Sequence, residues 1–452
     1  MHTVDLLASL NQPLPRYTSY PTAPQWGAMD SLSYRRTLES SVPDAPLSLY
    51  IHIPFCKTMC LFCGCSVILN RKEEPKEQYV QTLCQEIHTA SQSLGRRHCL
   101  QLHFGGGTPT ELSVSQFDTI MDTLRSSFTI DPGAEIAIEI DPRTIEDATK
   151  LAHLKHLGFN RVSFGVQDTN PKVQEAIRRR QSAACTEHAF SKARQLGFQA
   201  INIDLIYGLP YQTETTFAGT VDSILHLRPD RIALFSYAKV PWLKPHQKAI
   251  KDETLPTQEE KFRIYVMART RFIEAGYQAI GMDHFALPDN ELAKAYHAKT
   301  LHRNFQGYTV FQAEDLIGFG VTAIGTVQGN YFQNAKDIEK YSQAIQEGKL
   351  AVDRGLFVNS DDITRRFVIN SIMCHFRVDK ELFFARFHIP FDTYFQGELT
   401  RLTPFIEKGL CSNSGGSVLV TPMGELFVRN IASCFDFYFH QQKCEGRFSQ
   451  SI

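Results

Sequence analysis

The chain has no surplus of charge: 47 Lys and Arg stand against 48 Asp and Glu, a net charge of −1. Without a basic excess there is no electrostatic case for nucleic acid or an anionic membrane as partner. No apolar run approaches the roughly 18 residues that a bilayer-spanning helix requires. The opening residues, Met1 to Leu7, lack the basic stretch and apolar run of an export signal. No internal repeat or low-complexity stretch is present, which excludes a solenoid. What is left is ordinary globular composition, 43% hydrophobic and 21% charged over 452 residues, enough for two domains. Eleven cysteines in such a chain point to a reducing interior, so the expected protein is soluble and cytoplasmic.

The cysteines are not evenly spread. Cys56, Cys60, Cys63 and Cys65 fall within ten residues as C-x3-C-x2-C-x-C. A zinc site wants C-x2-C pairs with a second pair or paired histidines close downstream, and His297 with His302 lies far away. A disulfide framework belongs to small secreted chains. An electron-transfer [4Fe–4S] cube uses four thiolates, one per iron. Three thiolates, Cys56, Cys60 and Cys63, hold three irons and leave the fourth open for a ligand, the arrangement that radical S-adenosylmethionine enzymes use. Cys65 is not needed as a ligand. Cys84, Cys99, Cys185, Cys374, Cys411, Cys434 and Cys444 have no ligand spacing and read as core or incidental thiols.

From about residue 46 to 276 the pattern strand, loop, helix repeats six times. The strands are Leu47–Ile53, Leu100–Phe104, Glu135–Ile140, Arg161–Val166, Ala200–Ile206 and Arg231–Tyr237. Between them Tyr79, Val80, Leu83, Cys84 and Ile87 mark one helix face, and Phe117, Ile120, Met121 and Leu124 another, with Ser113 or Ser115 as N-cap. Alternating units predict an α/β fold with a parallel sheet. Polar residues sit at strand C-terminal ends: Cys56, Gly105 to Gly107, Glu139 with Asp141, Gln167, Asp204 with Tyr207, and Tyr237. A barrel gathers such ends at one mouth, but six units are too few to close eight, so a partial barrel is expected. Residues 277–335 read as polar-aromatic loops followed by a glycine-punctuated apolar stretch. Beyond about 360 come helices at Ile363–Met373, Asp379–Phe387 and Tyr394–Lys408. A hairpin turns at Gly415-Gly416, and a last helix spans Pro422–Phe439, a winged-helix-like domain with no basic recognition face.

Each motif has a plainer alternative. Gly105-Gly106-Gly107-Thr108 is neither a P-loop nor a dinucleotide loop, but it allows close backbone approach. Glu139 and Asp141 either bind a ligand or pair with a neighbouring Arg or Lys. Arg178-Arg179-Arg180 is either a solvated helix face or supplies one guanidinium to a carboxylate. His52 and His103 read as satisfied core histidines, whereas Asp283-His284 and His302-Arg303 are polar loop candidates.

Together these segments resemble the oxygen-independent coproporphyrinogen III oxidases, radical S-adenosylmethionine enzymes. The carriers are Pro15 to Thr22, Tyr50 to Cys56 with the cysteine run, His103 to Thr110, Gly165 to Asp168, Asn202 to Pro210, Gly281 to Ala286 and His302 to Tyr308. The resemblance covers nearly the whole chain. It implies a partial (β/α)6, three-quarter TIM-type barrel with a C-terminal mainly helical, winged-helix-like domain. The implied division is 1–40 as a tail near the substrate, 41–276 as the core, 277–355 as an extension with active-site loops, and 356–452 as the helical domain. It implies one [4Fe–4S] cluster on Cys56, Cys60 and Cys63, and two S-adenosylmethionine molecules. Tyr50, Phe62, Gly106, Glu139 and Ile324 would line the first, and Gly107, Thr108, Gln167, Arg179, Asp204 and Ala238 the second. Phe305 and Gln306 would be further active-site residues, with Arg16 and Arg303 the expected cationic anchors for a substrate of four carboxylates. The implied reaction is decarboxylation of two propionates of coproporphyrinogen III to vinyl groups, giving protoporphyrinogen IX for haem synthesis. A 5′-deoxyadenosyl radical starts each round. Implied partners are a flavodoxin- or ferredoxin-like electron donor and an unknown acceptor, with the chain a monomer. A haem chaperone or a radical enzyme with another substrate could use this scaffold. Chaperone relatives usually carry an aromatic where Cys65 stands and lack the Pro15–Thr22 motif. The chain departs from the family pattern at Arg178-Arg179, where Asn-Arg is usual, and at Val240 to Pro245.

Overall fold

The computed structural model describes residues 6, 9–311, 313, 315–441 and 448–451; Cys444 lies outside them. Six parallel strands run in chain order: β1 (Leu47–Ile53), β2 (His98–Gly106), β3 (Thr129–Ile140), β4 (Arg161–Gln167), β5 (Ala200–Tyr207) and β6 (Arg231–Ser236). β2 and β3 start earlier than their apolar runs suggest. The alternation of side chains explains why they are strands. In β1, Leu47, Leu49, Ile51 and Ile53 are wholly buried on one face. Ser48, Tyr50 and His52 occupy the other face, in register with Gln101, His103 and Gly105 of β2. The apolar face is covered by helices such as α1 (Glu74–Leu94) and α2 (Val114–Ser127). Ser113, rather than Ser115, caps α2, in a capping box with Gln116.

The sheet does not close. Beyond β6 it continues through the antiparallel strand β7 (His284–Ala286) to Gln278–Ile280. Beyond β1 it gains a seventh parallel strand, β8 (Asp315–Phe319), then antiparallel β9 (Ile324–Val327), β10 (Asn330–Asn334) and β11 (Val352–Leu356), and finally Gly27–Ala28. The result is a partial barrel of six β/α units with antiparallel flanks. Of the two segments read as polar-aromatic loops, Gly281 to Asp283 form a turn, but the rest is strand and hairpin. His284 opens β7, and His302–Asn304 pairs with Gly307–Thr309 as a hairpin. Three-residue strands carrying His, Arg and Asn have no apolar period; they form because a sheet edge or a partner strand takes their backbone hydrogen bonds.

A second core is built by the C-terminal helices, from residues such as Val368, Ile372, Phe383, Phe395 and Ile431, and it also takes in Leu6, Leu10, Tyr17 and Tyr20 of the N-terminal segment. The wing is three-stranded: Arg377–Asp379, Ser417–Val420 and Cys411–Ser414. The helix expected over Tyr394–Lys408 begins at Gln396, after a short turn of helix at Phe391–Tyr394. The expected last helix is broken into Pro422–Glu425, Val428–Ser433 and Phe437–Gln441. Its middle piece is buried on every side, and tertiary bonds fix it: Asn430 donates to Leu10 O, and Arg429 to the carbonyls of Leu14 and Pro15. Among the described residues no helix is long and apolar enough to cross a membrane.

Candidate functional site

Past β1 the chain turns at Pro54 and pairs Phe55–Cys56 with Ile68–Leu69, which closes the cysteine loop at its base. Its outer side is held by Lys244, in the stretch that departs from the family pattern, and by His246 and Gln247 just after it. Lys244 Nζ donates to Cys65 O at 2.7 Å, His246 Nε2 to Cys63 O at 2.8 Å and Gln247 Nε2 to Phe62 O at 2.9 Å. Each of the three cysteines has a polar neighbour at its sulfur. Arg179 Nη1 and Arg143 Nη2 point at Cys60 Sγ at 3.6 and 3.8 Å, the Cys65 amide donates to Cys63 Sγ at 3.4 Å, and Thr108 Oγ1 lies 3.3 Å from Cys56 Sγ. The Cys65 side chain, hydrogen-bonding to Cys63, draws that thiol down to about 7, whereas burial pushes Cys56 up to about 12. Donors around thiolate sulfurs are what an iron–sulfur cluster uses to tune its charge. Among the described residues no three His, Cys, Asp or Glu side chains converge on a point that one ion could occupy. Of the other thiols, Cys99, Cys374, Cys411 and Cys434 are buried, and Cys84 and Cys185 are half-buried.

A cavity of about 590 Å³ opens beside the loop. Cys56, Cys60 and Cys63 line it, with Phe62, Gly106, Gly107, Thr108, Glu139, Gln167, Arg179, Asp204 and Ala238. The glycine run is first of all a close-packing device. A Cβ on Gly107 would meet the Pro54 carbonyl oxygen at 2.6 Å, and one on Gly105 would meet Glu139 and Tyr50 at 3.0–3.1 Å. Tyr50 and Ile324 are not on the cavity wall. They are neighbours across Gly318, which pairs with Tyr50 and lies against the Ile324 backbone.

The two carboxylates of β3 part company. Among the described residues Glu139 has no Arg or Lys partner; it accepts from His103 Nε2 at 3.3 Å and from the Gly106 amide at 3.1 Å. Burial pushes its carboxyl up, but His103 and the amide win and hold it below the usual range. Asp141 takes the plainer reading and binds Arg143 at 2.6 Å and Arg179 at 3.1 Å. Of the three consecutive arginines only Arg179 is buried; Arg180 pairs with Glu175 at the surface. Asp204 accepts from Ser163 and Asn202, and burial pushes it up to about 6. His52 is a satisfied core histidine, accepting from the Tyr50 hydroxyl and donating to Ser66 O.

The remaining candidates do not line this cavity. Arg16 pairs with Asp283 at 2.5 Å and lies over the ring of Phe235, which lines the cavity. Arg303 lies over the Tyr308 ring, 4.5 Å from its centre. Phe305 packs edge-on against Trp26 at 5.4 Å, and Gln306 Nε2 is buried without a partner. The sequence reading missed Arg143 and Phe235. Arg143 follows a strand-end Asp-Pro, a turn signal that could have marked it; Phe235 gave no signal beyond strand alternation.

An open α/β barrel with three cysteines at its mouth defines a class, and residues 50–224 match the model of the radical SAM superfamily. Residues 358–427 match the HemN C-terminal domain. The oxygen-independent coproporphyrinogen III oxidase of Salmonella typhimurium is 43% identical over 448 residues, 99% of this chain and 98% of that protein. The Escherichia coli enzyme of the same name is 42% identical over 447 residues. The solved structure of the Escherichia coli coproporphyrinogen III oxidase superposes with a TM-score of 0.91 at 41% identity, over 95% of this chain and all of that one. The chain belongs to the oxygen-independent coproporphyrinogen III oxidase family.

Proposed function

We propose that the protein is an oxidoreductase that converts coproporphyrinogen III to protoporphyrinogen IX without oxygen, in haem biosynthesis. Each of two rounds removes a hydrogen atom, one further electron and CO2 from a propionate and leaves a vinyl group. The observation that carries this reading is the cavity that joins Cys56, Cys60 and Cys63 to Glu139, Arg179 and Asp204, in a chain so similar to named oxidases along its whole length.

Radical SAM enzymes carry a [4Fe–4S] cluster and use S-adenosylmethionine. When bound, these supply a one-electron cleavage that generates a hydrogen-abstracting radical. The chain's part is positioning. Cys56, Cys60 and Cys63 hold the cluster, and Arg143 and Arg179 offset its negative charge from one side. Phe62, Gly106 and Glu139 line one S-adenosylmethionine, and Tyr50 and Ile324, off the cavity wall, back that site from behind Gly105 and Gly318. The amino group of that molecule suits the Glu139 carboxylate, which is ionised at neutral pH. Gly107, Thr108, Gln167, Arg179, Asp204 and Ala238 line a second molecule. Arg16 and Arg303 anchor substrate carboxylates beside Phe305 and Gln306. The N-terminal segment (1–40) serves the substrate site, and the helical domain (356–452) closes the mouth over the barrel (41–276) and its extension (277–355). The protein acts as a cytoplasmic monomer with a flavodoxin- or ferredoxin-like donor and a separate electron acceptor.

The test is anaerobic incubation of reconstituted protein with coproporphyrinogen III, S-adenosylmethionine and a reductant, read by mass spectrometry. Loss of two CO2 units with formation of 5′-deoxyadenosine is the expected result. Cleavage with the porphyrinogen unchanged would redirect the reading to another substrate, and tight haem binding without cleavage to a chaperone. Normal turnover by Cys60→Ala would sink it outright.

A further inference from the structure

A second cavity, of about 190 Å³, lies beside Ser48 of β1 where four other parts of the chain meet. Thr18 to Tyr20 come from the N-terminal segment, His302 to Phe305 from the hairpin, Thr326 and Tyr331 from the sheet flank, and Arg366 with Asn370 from the helix Ser360–His375. Its charge balance is unusual. Among the described residues Arg303 Nε and Nη1 are buried and have no hydrogen-bond partner; Nη2 reaches the Arg16 carbonyl at 3.4 Å, and the guanidinium lies on the Tyr308 ring. The acid nearest in effect, Asp283, is already bound by Arg16 at 2.5 Å and His284 at 2.6 Å. No described side chain lining the cavity is an Asp or Glu. Arg366, the other cation there, is turned to Gly329 O at 2.8 Å and the Tyr331 hydroxyl at 3.2 Å. A guanidinium is charged at every pH the protein meets, and leaving it buried with two idle donors is costly unless an anion completes it.

We propose that this cavity is a carboxylate subsite that seats, on Arg303, a propionate of the tetrapyrrole that survives the reaction. The inference rests on the function proposed above and narrows it. The space admits a carboxylate on a short arm and is too small for a whole tetrapyrrole. Ser19 and Asn370 supply further polar contacts on its wall. A propionate held there is withdrawn from the cavity that carries the cysteines, so it is not the one being decarboxylated. The two cavities are nonetheless linked by a run of ring contacts: Phe235 to His284 at 5.9 Å, His284 to Tyr308 at 5.3 Å, and Tyr308 to Arg303 at 4.5 Å. Three side chains, Phe235, His284 and Tyr308, thus separate the two cavities, and the proposal requires one tetrapyrrole to span them. Four carboxylates enter and two remain, and the remaining pair needs a fixed seat through both rounds.

The test uses the full chain in anaerobic fluorescence titrations with two stable aromatic probes. Coproporphyrin III carries all four propionates, and protoporphyrin IX only the two that survive. Arg303→Ala is expected to weaken both probes by about tenfold or more, the scale of a charge-assisted bidentate contact. Asn370→Asp, which places a carboxylate in the cavity and keeps the guanidinium, is expected to weaken both similarly. Loss of coproporphyrin binding alone would assign Arg303 to a reacting propionate and overturn the proposal, as would unchanged binding of both. If Arg303→Ala loses its near-UV circular dichroism, Asn370→Asp decides by the same criteria. Failure of the wild-type chain to bind either probe or to release CO2 would instead count against the function itself.

Discussion

Asp141→Asn isolates the electrostatics of the cysteine loop. The carboxylate touches Arg179 Nη1 at 3.1 Å, and the same nitrogen lies 3.6 Å from Cys60 Sγ. Two contacts through one atom place the carboxylate within about 7 Å of the sulfur, where at an effective dielectric of about 20 a unit charge acts with about 2 kcal/mol. For a one-electron couple that is on the order of 100 mV. Asparagine is isosteric and keeps an acceptor for Arg143 and Arg179, but it removes the negative charge that offsets the two guanidiniums. The reduced cluster is the more negative state, so the variant's potential is expected to rise by several tens of millivolts up to about 100 mV. Reconstituted protein is titrated against redox mediators and read by electron paramagnetic resonance. Arg180→Ala serves as control, since Arg180 pairs with Glu175 at the surface and touches no sulfur. A shift under about 10 mV, or one to lower potential, would refute the reasoning that this carboxylate and these guanidiniums act on the cluster.

Arg97→Ala leaves Asp315 buried without the guanidinium now 2.7 Å away, so urea unfolding is expected to show a loss of about 3–5 kcal/mol. Gly107→Ala drives a methyl into the Pro54 and Phe55 carbonyl oxygens, at 2.6 and 2.8 Å, which cannot yield; iron uptake on reconstitution is expected to fall while far-UV circular dichroism stays native. Asp436 is pushed up to about 6 by burial. The folded state therefore holds its proton more tightly than the unfolded chain, and the group's contribution is present below about pH 4 and lost as pH rises through 6, up to about 3 kcal/mol. Asp436→Asn keeps an acceptor for the Phe439 amide, 3.0 Å away, so its melting temperature is expected to exceed wild type at pH 8 and to converge with it near pH 4.

How much of this was legible depends on what fixes each residue. β1 and β4 to β6 were legible to within a residue because a half-polar strand in a barrel alternates visibly, as in Tyr50-Ile51-His52-Ile53. The cysteine loop was legible because ligand spacing is local. The three-residue strands at 284–286 and 302–304 were not, since a partner's backbone, not their own side chains, makes them strands. The break of the last helix is set by Arg429 and Asn430 reaching the carbonyls of Leu10, Leu14 and Pro15, more than four hundred residues away, which no local window contains. At the site the residue types were readable and their pairings were not. Glu139 and Asp141 look alike in sequence; only the structure shows one on a histidine and an amide and the other on two arginines.

A closed TIM barrel fills its interior with branched apolar side chains. Here the inward register carries Ser48, Tyr50, His52, Gln101, His103, Glu139, Ser163, Asn202 and Asp204. The interior therefore contributes little apolar burial. The fold's stability comes from the opposite face of the same strands, Leu49, Ile51, Leu102, Phe104, Ile138 and Ile203, all fully buried under the helices. Odd and even positions of each strand thus do different jobs. Polar changes inside the barrel can alter ligands and chemistry with a small effect on folding, while the outer face tolerates almost none. A barrel left open and polar within has room for a large anionic substrate, and the antiparallel flanks and hairpin that border the opening are where this chain places Arg16's partner Asp283 and the two unsatisfied guanidinium nitrogens of Arg303.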